Sequence, residues 1–298
     1  MNQPHRDPAT RRRRREETSG PPAPEAVNPT PRAGRNLYAA IGVGVALAVL
    51  VLISLFTNKE IFLAVASGAS ALGVWELHRA LAHRDFQPPV ISTYVGSVLI
   101  PVVAYVWGKD AFASVIVLVL VAVVVEASVV PHADAQRNAA VGALVTLYVP
   151  ALVGFAALLL KSGDGDLRIV TFILVVVCSD VGGYAVGVLF GKHPMAPSVS
   201  PKKSWEGFAG SAIACLIGGV LAVTLLLDGR WWVGLLLGAC VVVTATIGDL
   251  CESVIKRDLG VKDMSNLIPG HGGLMDRLDS LLVSVPVVWA ILTVLVPS

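Results

Sequence analysis

Ten charged side chains fall within the thirty-two residues from Gly248 to Asp279, GDLCESVIKRDLGVKDMSNLIPGHGGLMDRLD, although charged residues make up only 15% of the chain. Asp249, Glu252, Ser253 and Lys256 recur at i, i+3, i+4 and i+7, so a helix gathers them on one face. Asp276 and Asp279 form a second acidic pair about one turn apart, and Pro269-Gly270-His271-Gly272-Gly273 lies between the two groups. Glycines there permit positive φ and let backbone N–H groups approach a ligand closely. Carboxylates from two helix ends around one ion suit magnesium, which favours oxygen donors and bridges one or two carboxylates to substrate phosphates. Lys256, Arg257, Lys262 and Arg277 supply the opposite charge, suited to phosphate oxygens. Taken alone, the Asp249–Lys256 face is an ordinary solvated set of ion pairs; the second acidic pair makes it a candidate site.

Two other segments carry polar chemistry. In Gly191–Gly207, GKHPMAPSVSPKKSWEG, three prolines (Pro194, Pro197, Pro201) stop a helix and hold the chain extended. Ser198, Ser200, Lys202, Lys203 and Ser204 offer donors to phosphate there, the plainer alternative being a loop whose lysines only set topology. Trp205 reads as an interfacial anchor. Asp180 lies inside an apolar run, about 16 Å from its end at 1.5 Å per residue. An aspartate at such depth costs about 2.5–3.5 kcal/mol on insertion scales, so it either lines a polar cavity or makes a structural bond between helices. Gly183, Gly187 and Gly191, spaced by four, form a stripe on which another helix can pack closely.

The elements that must position these residues follow from composition. Apolar residues are 55% of the chain and mean hydropathy is +0.73, with a charged fraction well under the soluble norm of about a quarter. The fold class expected is an all-α, polytopic membrane bundle of about nine helices, near 38–56, 61–77, 90–107, 111–130, 139–160, 168–191, 207–227, 231–248 and 280–297, each near the twenty residues a bilayer requires. The runs are too long and uniformly apolar for barrel strands. The second is the weakest, because it meets Glu76, His78 and Arg79; Glu76 and Glu126 are expected to pair with neighbours. Pro101, Pro150 and Pro286 are expected to kink their helices. Residues 1–36, rich in Pro and Arg with Arg11–Arg15 in one block, cannot bury a core and read as a disordered basic tail. Residues 37–160 then form an N-terminal helical region and 161–298 the region that carries the candidate site. With the N-terminus inside, inner segments hold eighteen Lys and Arg and outer loops five, Lys59, Lys109, Lys161, Arg168 and Arg230. This places both polar segments in the cytoplasm and the protein in the cell membrane. Cys178, Cys215, Cys240 and Cys251 show no ligand spacing and read as packing residues. His78, His83 and His132 read as interfacial.

The run Ser253-Val254-Ile255-Lys256-Arg257, then Lys262-Asp263, Pro269-Gly270-His271-Gly272-Gly273 and Asp276-Arg277-Leu278-Asp279, resembles the signature of the phosphatidate cytidylyltransferases, or CDP-diacylglycerol synthases. Gly248-Asp249-Leu250-Cys251-Glu252-Ser253 and Ser200-Pro201-Lys202-Lys203-Ser204-Trp205-Glu206-Gly207 are similar to other segments of that family. Val181, Gly183 and Ser204 depart from the Thr, Ala and Thr common there. The resemblance implies transfer of CMP from CTP to phosphatidate, with pyrophosphate released and CDP-diacylglycerol left in the membrane for phospholipid synthesis. It implies magnesium held by Asp249 and Asp276 with Asp279 and Asp180 in support, and a second monovalent cation such as potassium. Lys256, Arg277 and His271 would act on the reacting phosphates. Ser200, Lys202, Lys203, Ser204, Ser253, Arg257, Lys262 and Asp180 would contact substrate. A homodimer is implied as well, and nothing points to nucleic acid. Two rivals share the architecture: a CTP-dependent lipid-alcohol kinase, and an ion-coupled transporter, for which an internal repeat would be expected.

Overall fold

The computed structural model describes residues 37–130, 134–265, 267 and 272–296, with side chains from 42 onward except 43. The expectations for residues 1–36, His132, Pro269, Gly270 and His271 lie outside the described residues. Those described form ten helices and one ribbon: α1 Leu37–Thr57, α2 Lys59–Ala82, α3 Val90–Trp107, α4 Lys109–Val129, α5 Ala135–Tyr148, α6 Pro150–Lys161, α7 Gly165–Phe190, β1 Pro194–Ala196, β2 Ser200–Ser204, α8 Trp205–Leu226, α9 Trp231–Leu259 and α10 Met275–Leu295. Eight helical runs, with α5 and α6 counted as one, are long and apolar enough to cross a membrane. Helix α1, 21 residues long, stands in the place of the first expected span.

Helix ends follow local chemistry. Asn58 caps α2 by accepting the Glu60 N–H at 2.8 Å, and Ser204 Oγ caps α8 by accepting that of Gly207 at 3.1 Å. Gly260, at φ +73°, ends α9 and donates its N–H to the Arg257 and Lys256 carbonyls, a left-handed turn that costs glycine little. Pro101 and Pro286 stay inside α3 and α10.

Four expectations need correction. Pro150 breaks its span rather than kinking it: Val149 sits at φ −111°, ψ −69°, and α6 restarts with Pro150 in its first turn, where a missing N–H is tolerated. The segment after α7 is not merely extended; β1 and β2 pair antiparallel, Pro194 opposite Ser204 and Ala196 opposite Ser200 with an irregularity between, a short ribbon in a connection of the helical bundle. Helix α2 runs on to Ala82 with Glu76 fully buried inside it. Arg168, tallied as a loop cation, is buried in α7: its Nε meets Asp164 at 2.7 Å, while Nη1 and Nη2 donate to the carbonyls of Leu292 and Val296 at 2.9 and 2.7 Å. Those carbonyls lie at the end of α10, where the helix leaves acceptor capacity for a side chain to use.

In the C-terminal half, α7 packs on α8, α8 on α9 and α9 on α10, while α2 to α6 gather around α3 and reach α10 through α6. Lipid tails are as apolar as the side chains, so helices in a membrane associate through close packing. The α7–α8 seam shows this: a Cβ on Gly182 would lie 2.6 Å from Ala214 Cβ and 2.7 Å from the Gly210 carbonyl oxygen. Gly183 and Gly187 also face α8, as their spacing suggested, whereas Gly191 turns back against Gly187.

Candidate active site

Asp180, some ten residues before the end of α7, opens into a cavity of about 250 Å³ that it shares with Ser179, Tyr184, Lys202, Lys203, Ser204, Thr246 and Asp249. It is built by α7, the ribbon, the start of α8 with Gly207, Phe208 and Ser211, and the polar end of α9. The ribbon is fixed at its base by Glu206, which accepts the backbone N–H groups of Lys192 and His193 at 3.1 and 3.2 Å and the His193 ring at 2.5 Å. It is fixed at its far strand by the ion pair of Lys203 with Asp249. A second cavity, of about 230 Å³, is lined by Ser200, Lys202, Ser253, Lys256, Arg257, Lys262 and Asp263. Lys202 lines both, so a mixed acidic and basic chamber adjoins a mostly basic one.

The two acidic groups meet through a lysine. Lys256 Nζ donates to Glu252 Oε2 at 2.6 Å and to Asp276 Oδ1 at 2.7 Å, which ties the polar end of α9 to the start of α10. Asp276 Oδ2 also accepts the N–H groups of Gly273 at 2.7 Å and Met264 at 3.2 Å, so this one carboxylate organises the connection between the helices. Asp279 Oδ1 accepts the Ser280 N–H at 2.7 Å. Its backbone lies against Gly248, where a Cβ would collide with the Asp279 carbonyl; the absent side chain lets α10 pack one residue from Asp249. Arg277 is exposed at the start of α10. Asp276, Asp279 and Arg277 do not line the two cavities; Lys256 links Asp276 to the second.

Glu76 enters this network without having been chosen from sequence as a site residue, and Glu252, which its helical spacing placed on the candidate face, joins it. Glu252 is 1% exposed, and its Oε1 has no hydrogen-bond partner among the described residues. Glu76 Oε1 accepts the Leu274 N–H at 2.8 Å and the Ser265 hydroxyl at 2.5 Å, and its Oε2 accepts the Met275 N–H at 2.7 Å. The signal that singled out Asp180, an acid within an apolar run, applied equally to Glu76, whose position close to the expected span end hid it. Among the described residues no three His, Cys, Asp or Glu side chains form a ready metal cluster. The donors nonetheless fit a hard cation that shares its shell with substrate: carboxylates on three helices, one buried oxygen unpartnered, and ammonium groups at hand for phosphate.

Residues 38–295 match the family described as Cytidylyltransferase family. A phosphatidate cytidylyltransferase of Mycobacterium leprae is 40% identical over 282 residues, covering 89% of this chain and 90% of the relative. Relatives of the same name from Helicobacter pylori and Pseudomonas aeruginosa are 37% and 35% identical, covering 76% and 80% of this chain and 80% and 90% of their own lengths.

Proposed function

The chain belongs to the cytidylyltransferase family, and from that premise we propose that it is a phosphatidate cytidylyltransferase, transferring CMP from CTP to phosphatidate to give CDP-diacylglycerol and pyrophosphate. The observation that carries this reading is the junction of the Asp180–Lys203–Asp249 cavity with the Lys256–Arg257–Lys262 cavity through Lys202, inside a helical bundle suited to a lipid substrate. Nothing favours the kinase or the transporter.

An oxygen of the lipid phosphate attacks the α-phosphorus of CTP. The bond from that phosphorus to the oxygen bridging to the β-phosphorus breaks, and pyrophosphate leaves with the electron pair. The attacking phosphate is already an anion, so alignment and neutralisation of repelling charges dominate over base catalysis. Lys256, Arg257 and Lys262, with Ser200 and Ser253, hold the triphosphate; Lys202 and Lys203 stand where the two substrates' phosphates meet. Asp249 and Asp276, supported by Asp279 and Asp180, would hold magnesium, which when bound supplies positive charge to the phosphate oxygens. A monovalent cation beside it, a homodimer, and a bilayer setting in the cell membrane with the ribbon in the cytoplasm complete the proposal. The test is incubation of purified protein with phosphatidate and CTP labelled in the cytosine ring. Label entering the lipid phase is the expected result; label confined to water, with or without a newly phosphorylated lipid, refutes it.

A further inference from the structure

The first turn of a helix leaves N–H groups without intrahelical partners, and two carboxylates hold the backbone where α10 begins. Asp276, in the first turn, takes the N–H of Gly273, two residues ahead of Met275. Glu76 takes those of Leu274 and Met275 from α2, nearly two hundred residues away in sequence. Gly273 lies between them: a Cβ there would fall 2.8 Å from Glu76 Oε2 and 2.9 Å from Asp276 Oδ2. Glu76 is wholly buried and also receives the Ser265 hydroxyl, so it grips both sides of the connection that presents Asp276 to Lys256. One turn earlier on α2, Gly73 admits the Met275 side chain, with Sδ 2.9 Å from where a Cβ would be. A carboxylate at a helix N-terminus also meets the favourable end of the helix dipole.

We propose that Glu76 is a positioning residue: it fixes the first turn of α10, and through that turn Asp276 and its Lys256 partner, in the arrangement the transfer reaction uses. This rests on the cytidylyltransferase reading and extends the site into the N-terminal half. Glu76 touches no substrate; its effect passes through the backbone of Gly273 to Met275.

The decisive variant is Glu76→Gln, which keeps the volume but replaces one acceptor oxygen with a donor, so the Leu274 and Met275 N–H groups no longer each meet an acceptor oxygen of their own. The control is Arg168→Gln, which uncaps the opposite end of the same helix without approaching the site. In Glu76→Gln, exchange of the backbone amides at Leu274 and Met275 should accelerate at least about tenfold through local opening. Its kcat should fall by about a hundredfold, the scale of an ångström-sized misplacement, with KM for CTP within about threefold. Arg168→Gln should lower the melting temperature while keeping kcat per folded molecule within about threefold. A Glu76→Gln protein with wild-type kcat, or with a loss no greater than that of Arg168→Gln, overturns the proposal. Should Glu76→Gln not fold, Ser265→Ala removes one of the three donors; a several-fold fall in kcat at constant KM is then expected, and unchanged kcat overturns the proposal. Absence of CMP transfer by the unaltered chain would sink the functional reading instead, while the exchange comparison would still report whether Glu76 anchors α10.

Discussion

Lys203 and Lys256 hold the carboxylates of the site in ion pairs, yet the two pairs differ in kind. The side chains of Lys256 and Asp276 are 15% and 5% exposed; those of Lys203 and Asp249 are 27% and 28% exposed. Removing one partner of a buried pair strands the other charge, at about 3–5 kcal/mol, and the cost falls towards the roughly 1 kcal/mol of a surface pair as water reaches the charges. Lys256→Met is therefore expected to lower thermal stability far more than Lys203→Met, although both should raise KM for CTP, because both ammonium groups face the phosphate chambers. Melting curves and initial rates on the two variants test this, and equal destabilisation would contradict the burial argument. Asp276→Asn can still accept both backbone N–H groups, because Gly273 and Met264 donate to one oxygen, but it loses the charge opposite Lys256. Its expected cost is about 3 kcal/mol of transition-state stabilisation, roughly two orders of magnitude in incorporation of the cytosine label. Near-normal activity would remove Asp276 from the set proposed to hold magnesium.

Among the elements, the α7–α8 seam offers the sharpest contrast. Gly182→Val puts three carbons where Ala214 Cβ and the Gly210 carbonyl already lie within 2.7 Å of the first, and overpacking of this kind costs about 1–3 kcal/mol. Because the same seam walls the Asp180 cavity, activity should fall together with melting temperature. Gly68→Ala on α2 faces open space and should leave both unchanged; a comparable loss there would mean that general helix tolerance, not the seam, is being read. The positions of the spans were legible in the sequence because bilayer thickness sets their length, and Asp249 and Lys256 were legible because helical period places them on one face. Asp180 was visible as a charge inside an apolar run. What could not be read was pairing at long range. Arg168 looked like a loop cation until its partners near the end of α10 were in view, and Glu76 looked like the frayed end of a weak span. The pairing of β1 with β2 was equally hidden, since prolines that forbid a helix do not reveal whether an extended segment finds a partner.

Across the whole molecule, the two ends of the bundle treat their positive charges differently. At one end Lys59 donates to the carbonyls of Ser162 and Gly163, Lys161 to those of Tyr105 and Val106, and Arg168 to those of Leu292 and Val296. These cations satisfy carbonyls at or just beyond helix C-termini, the negative ends of the helix dipoles. Three of the five positive residues assigned to the outer loops are thus committed to protein backbone. At the other end, Lys202, Arg257 and Lys262 face the chambers and Arg84 and Arg137 lie exposed, the end at which Lys and Arg are more numerous. The ribbon should accordingly face the cytoplasm and the turn after α6 the opposite side. In a chain whose four cysteines are replaced, Ser198→Cys and Gly163→Cys sit at exposed positions on opposite ends. A membrane-impermeant maleimide added to intact cells stripped of their outer layers should label Gly163→Cys and spare Ser198→Cys until the membrane is opened. The reverse pattern would turn the bundle over and put the chambers out of reach of cytoplasmic CTP.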